Sequence, residues 1–227
     1  MTLSLTILII AITAITSFLA FNNPKLEDDL IFDPIAVSRR KQWYRFITCG
    51  FIHADFTHLL FNMMSFYFFG QTQKGDANHL DVVGVEDSFI GLFGDKGKAL
   101  YLLLYISALV ICLLPTYFKH KNNSRYKSLG ASGAVSAIIF VGIFIAPQHD
   151  LVLFLLPIPI PGFIFGPLYL FASAWMAKRG KDNINHSAHF WGALYGVIFF
   201  AIASFALTSF NPLTNFVEKV SEYFRNF

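Results

Sequence analysis

Met1 to Asn23 contains no Asp, Glu, Lys or Arg, and five further apolar runs follow it. A helix of about 20 apolar residues crosses the hydrocarbon of a bilayer. Lipid offers no partner for backbone N–H and C=O groups, so apolar runs of this length fold as helices that satisfy themselves. The runs fall at about 2–22, 56–73, 99–118, 130–146, 157–176 and 187–210. Only 14% of the 227 residues are charged, against about 25% in soluble domains. The expectation is an all-α, polytopic membrane protein, a six-helix bundle forming a single domain over residues 1–210. The first run lacks the basic start and small-residue cleavage site of a signal peptide, so it is kept as a span.

The connections carry most of the charge. Pro24 to Asp55 is long and mixes charges with apolar residues. It reads as an amphipathic first loop lying in the membrane interface, with Trp43 and Tyr44 at headgroup level. Lys74 to Lys98 is polar and Gly-rich, with Gly75, Asp76, Asp81 and Glu86, and reads as an irregular loop. Pro157, Pro159, Pro161 and Pro167 break the start of the fifth run, so its helix is expected to start late or bend. Residues 211–227 alternate apolar and charged side chains, as in a short amphipathic tail on the membrane surface. A net charge of +3, without a basic stripe, argues against nucleic acid. Cys49 and Cys112 lie in different segments and suggest neither a disulfide framework nor a metal motif.

Polar residues inside the spans are few, and such residues are costly in hydrocarbon. Ser132 opens the fourth run within Gly130-Ala131-Ser132-Gly133. The tetrapeptide alone is weak, since by composition it arises in about one chain in twelve of this length. His189 opens the sixth run, and a serine nucleophile needs such a base within hydrogen-bond reach. Gly192 and Gly196 share the face of His189 and allow another helix to come close. The fourth run offers Gly133 and Ala137 for that approach, which would set Ser132 beside His189. His58 and Asn62, four residues apart, share a helix face. With the amides of a helix start, they are candidate donors to an oxyanion. No Asp lies in any span, so the expected unit is a dyad. A metal site from His53, His58 and His189 is a poor alternative for want of acidic or cysteine ligands, and no cofactor is expected.

These residues resemble the rhomboid intramembrane serine proteases, from about Trp43 to Gly196. Gly130 to Gly133 is similar to the nucleophile motif of that family, and Ala188-His189 with Gly192 and Gly196 to its sixth helix. His53, His58 and Asn62 match its H-x4-H-x3-N pattern. The resemblance implies Ser132 as nucleophile, His189 as base, His58 and Asn62 at the oxyanion site, and His53 as structural or near it. Trp43-Tyr44-Arg45 is similar to its Trp-Arg feature with one residue inserted. Ser136 stands where the family has an aromatic that stacks on the histidine, so another ring is expected to orient His189. Glu86 is the candidate for its acidic residue after the second span.

The implied activity is endopeptidase cleavage within transmembrane segments of other proteins. The implied partners are such substrates and membrane lipid, in a cell membrane of bacterial type, with the oligomeric state open. Two rival readings are a catalytically silent relative that binds substrates for quality control and a small transporter. The first would lack Ser132 or His189, and the second would show inverted repeats. Lys and Arg are uneven: five lie in residues 22–55, four in 119–127 and three in 178–181, against five in the remaining connections. The positive-inside rule would make the first set cytoplasmic, whereas the resemblance implies the reverse.

Overall fold

A computed structural model describes residues 4–74, 82–153, 156–180 and 184–225. Gly75, Asp76, Asp81 and Lys181 of the connections lie outside the described residues.

The chain is mainly helical. Helix α1 (Leu5–Phe21) is capped by Ser4 and turns its small polar residues inward. Thr6, Thr13 and Ser17 are fully buried, while Ile15, Phe18 and Leu19 are more than half exposed. This inversion suits a helix whose outer neighbour is lipid and whose inner contacts are close.

The first loop holds three short helices, α2 (Pro24–Leu30), α3 (Pro34–Arg40) and α4 (Arg45–Thr48). Asn23 and Asp33 cap the first two, and a proline follows each cap at the first helical position, where its missing N–H costs nothing. Buried Arg45 ties the loop together. It donates to the carbonyls of Asp28 (2.6 Å) and Ile31 (2.8 Å) and to Gln42 Oε1 (2.7 Å).

Helix α5 (Phe56–Gly70) starts at Asp55, whose carboxylate accepts from the His58 amide at 2.7 Å. The second connection differs from the irregular loop read from its glycines. Its later half forms α6 (Val85–Phe93), and a 3-10 turn at Gly94–Lys96 leads into α7 (Gly97–Ile111) and α8 (Leu114–His120). Glu86 and Asp87 sit in the first turn of α6, where the helix dipole favours acids. Buried Glu86 also reaches across to cap α1. Its carboxylate accepts from Ser4 Oγ (2.8 Å), the Leu5 and Thr6 amides (2.8 and 2.9 Å) and Gln71 Nε2 (3.0 Å).

Helix α9 (Ser132–Ile145) is the central element, packed by α5, α7 and α11. A two-stranded antiparallel hairpin follows, β1 (Asp150–Leu153) with β2 (Leu156–Pro161), which the all-α reading did not include. Pro157, Pro159 and Pro161 have no N–H for a helix, so α10 begins only at Gly162 and runs to Arg179. Helix α11 (His186–Leu207) is capped by Asn185, and α12 (Pro212–Arg225) forms the amphipathic tail. Asn215 of α12 donates to the Ile145 carbonyl at 2.9 Å and so satisfies the end of α9.

By length and composition, two stretches among the described residues can cross a membrane, Val85–His120 and His186–Leu207. Helices α1 and α9 are apolar but shorter.

Replacing Glu86 with alanine leaves two helix-start amides of α1 without a partner. Unfolding of the purified protein in detergent should show a loss of about 2 kcal/mol or more, with Glu86→Gln intermediate. A Glu86→Ala protein as stable as the parent would refute this role for the carboxylate.

Candidate active site

The site forms where α9 and α11 touch. Gly192 and Gly196 of α11 lie against the backbone carbonyls of Gly133 and Ala137 of α9, so closely that a methyl group at either would overlap them. On the other face of Gly133, Cys112 leaves equally little room. This approach brings Ser132 Oγ to 2.7 Å from His189 Nε2, the geometry of a nucleophile and its base. Asn185 fixes the start of α11. Its Oδ1 accepts from the Ala188 amide and from Thr116 Oγ1, both at 3.2 Å.

Gly130 makes the turn into α9 with φ +109°, a conformation that side chains rarely adopt. A Cβ there would also strike the ring of His58. The Gly130 amide donates to the Cys49 carbonyl at 2.9 Å, so the first loop holds the turn. His53 holds the next residue. Its Nε2 accepts from the Ala131 amide at 3.3 Å, which leaves Nδ1 to carry the proton and donate to Ser17 Oγ at 3.0 Å. Ser17 in turn donates to the Phe51 carbonyl at 3.1 Å. Burial, and then the neighbouring His58, push the His53 imidazole down to about 3. It therefore remains neutral and able to accept.

His58 faces His53 edge-on, with ring centroids 4.9 Å apart. Its Nδ1 is 3.5 Å from the Ala54 amide, so that nitrogen acts as acceptor and the proton sits on Nε2, the atom beside Gly130. Asn62 is buried one turn along α5 and donates to the His58 carbonyl at 2.9 Å. An amide nitrogen has a second hydrogen, so Asn62 keeps one donor in reserve. The start of α9 adds the Ser132 and Gly133 amides, which have no acceptor within the helix.

A cavity of about 1020 Å³ opens from Ser132 between α5 and α10. Asn62 and Phe68 line its α5 side, Ser132 and Ser136 its α9 wall, and Phe165 and Tyr169 its α10 side. Ser136 does not face His189 with a ring. It is buried and bonds to Tyr169 of α10, hydroxyl to hydroxyl at 2.8 Å. The ring set edge-on to His189 is His186, one turn earlier, at 5.7 Å.

Sequence reasoning missed Ser17, Asn185 and Tyr169. Ser17 had a signal, since it lies in register with Thr6 and Thr13 as a polar stripe in an otherwise apolar run. Asn185 could have been found as a cap just before an apolar helix. Tyr169 had none, because it meets Ser136 only through tertiary packing.

The chain matches the Rhomboid domain family over residues 40–205. It is 30% identical over 165 residues to the putative rhomboid protease YdcA of Bacillus subtilis, covering 69% of this chain and 65% of that protein. It is 30% identical over 155 residues to the mitochondrial RHOMBOID-like protein 12 of Arabidopsis thaliana, covering 68% and 45%. The chloroplastic Rhomboid-like protein 11 of the same plant is 27% identical over 163 residues, covering 69% and 51%. The chain thus spans about half to two thirds of the length of these relatives.

A Gly192→Val protein should lose folded yield, because α9 and α11 must separate to admit the side chain, at about 1–3 kcal/mol or more. What folds should label poorly with serine-directed reagents. Gly91→Ala on α6, where an added Cβ meets nothing, should keep both yield and labelling. Equal labelling of the two variants would show that the site does not depend on this contact.

Proposed function

The chain belongs to the rhomboid family, and on that premise we propose that it is an intramembrane serine endopeptidase with a Ser132–His189 dyad. The observation that carries this reading is the 2.7 Å contact between Ser132 Oγ and His189 Nε2, set beside unspent donors on α5.

Ser132 Oγ attacks a peptide carbonyl of the substrate while His189 Nε2 takes its proton. The oxyanion is stabilised by the Ser132 amide and by His58 Nε2–H and Asn62 Nδ2–H, donors whose side chains are anchored at the Ala54 amide and the His58 carbonyl. His189 then gives its proton to the leaving amine, which departs and leaves an acyl-enzyme. Water attacks the ester, again with His189 as base, and the acid product leaves Ser132 free. Both histidines on the opposite wall have distinct duties. His53 is committed to shaping the Gly130–Ala131 turn, and His58, beside Gly130, is left to donate to the oxyanion.

The substrate is a transmembrane segment, and the protein spans the bilayer through six helices, α1, α5, α7 with its flanks, α9, α10 and α11. Helix α9 has 14 residues, about 21 Å of rise, against about 30 Å of hydrocarbon. A helix this short leaves hydrocarbon uncovered, and in this reading the uncovered part is at its start, where Ser132 meets a peptide bond inside the bilayer. The cavity between α5 and α10 is the way in. A segment entering there must expose a carbonyl, so stretches that unwind easily, near Gly or Pro, are favoured.

The test is cleavage of a transmembrane reporter in proteoliposomes, together with fluorophosphonate labelling. Ser132→Ala and His189→Ala should each lower cleavage roughly a thousandfold or more. Asn62→Ala should lower kcat by about a hundredfold and leave fluorophosphonate labelling detectable. Cleavage that survives in Ser132→Ala would sink the reading.

A further inference from the structure

The two ends of the bundle differ in charge. At the site end, α3 finishes with Arg39, Arg40 and Lys41, α8 finishes near Lys119 and Lys121, and Arg125 follows in the next turn. All six side chains are exposed, and among the described residues none is ion-paired. Helices α3 and α8 are in contact, and Trp43 packs on Tyr117 with ring centroids 6.0 Å apart. The cations therefore fall on one side of the molecule. Acidic groups at this end are largely spent. Asp28 pairs with Lys127, and Asp33 and Asp55 cap helices, which among the described residues leaves Glu27 and Asp29 on α2 with Lys25 beside them. Among the described residues the far end is balanced, with Lys96 next to Asp95 and Lys219 paired to Glu222 at 3.1 Å.

Two further observations say what would neutralise this face. None of the six cations lines the cavity, so a segment lying there does not meet them. Large aromatic side chains stand among them instead, with Trp43 52%, Tyr44 46% and Phe118 63% exposed. Lys121 lies 5.9 Å over the ring of Phe118. Exposed Trp and Tyr beside Lys and Arg are the composition of a membrane–water interface. A second such pair closes α10, where Arg179 sits 3.7 Å over Trp175.

We propose that the face built from the ends of α3 and α8 binds the phosphate groups of anionic phospholipids and holds the site end at headgroup level. Lys and Arg near an anionic leaflet gain from its negative potential, and guanidinium groups fit phosphate oxygens in pairs. The lipids would lie as a partial ring beside the active site without entering it. They would also fix the depth of α9, since the first loop and the α8 turn both hold the residues that lead to Ser132.

The experiment uses the full-length protein in neutral detergent and measures binding of phosphatidylglycerol and phosphatidylcholine by native mass spectrometry. Phosphatidylglycerol should bind about tenfold more tightly at low salt. The preference should fade near 1 M salt, where screening shortens to roughly 3 Å. Joint replacement of Arg39, Arg40, Lys41, Lys119 and Lys121 by Gln should abolish it, whereas Lys96→Gln with Lys219→Gln should not. Equal affinity for the two lipids, or a preference that survives the five replacements, would overturn the proposal. So would binding of poly-glutamate to this face without any lipid preference, which would assign it to an acidic protein segment. No arm reads cleavage, so the outcome is independent of the protease reading.

Discussion

Everything at the site depends on how closely α9 and α11 approach. Two glycines of α11 meet backbone carbonyls of α9, at Gly133 and Ala137. In an apolar medium there is little hydrophobic force between helices, so such contacts rely on dispersion at short range and on the absence of side chains. The dyad follows from that geometry. Ser132 and His189 stand one position before and three before the residues that touch, and at this separation their side chains meet at 2.7 Å. Cys112 closes the third side of Gly133, so α9 is confined from two directions and has few ways to shift.

The same economy governs the buried polar groups. Arg45, Glu86 and His53 are buried, and each reaches backbone groups as well as side chains. Arg45 collects carbonyls of the first loop, Glu86 caps the start of α1, and His53 receives the Ala131 amide. Helix ends and tight turns leave backbone groups that lipid cannot satisfy. A long side chain that reaches such an end supplies what water would supply in a soluble protein. The first loop and α1 are thereby built into the site, because the hydrogen bonds from Ser17 through His53 end at Ala131, the residue before Ser132.

Much of this was legible in the sequence, for a physical reason. Helical periodicity puts His58 with Asn62 and His189 with Gly192 and Gly196 on shared faces, so pairing Ser132 with His189 required only that small residues meet small residues. Helix α6 was not legible. Gly84, Gly91, Gly94 and Gly97 suggested a loop, yet Gly84 and Gly94 lie at the helix ends and Gly97 is needed where α7 crosses the backbone of Ile90. The hairpin before α10 was hidden too. Prolines announce that a helix cannot form there, but not that an antiparallel strand can take its place. The partner of Ser136 lies on an element 33 residues away, and no local pattern specifies such a contact.

Ser136 shows how a change at one position moves a duty to another element. An aromatic at that place on α9 would have packed against the base from within the same helix pair. Serine instead turns its hydroxyl to Tyr169, so the ring now belongs to α10 and lies in the cavity wall rather than on His189. His186, on the first turn of α11, stands edge-on to the base. The start of that helix is held by the Asn185 cap and the Thr116 hydroxyl. The hydroxyl pair does a separate thing. It joins α10 to α9 one turn along from Ser132, in the wall of the cavity. A hydrogen bond in a low-dielectric setting is strong while both partners face each other and costly when one is left alone. That bond therefore holds the α9 and α10 walls of the cavity together.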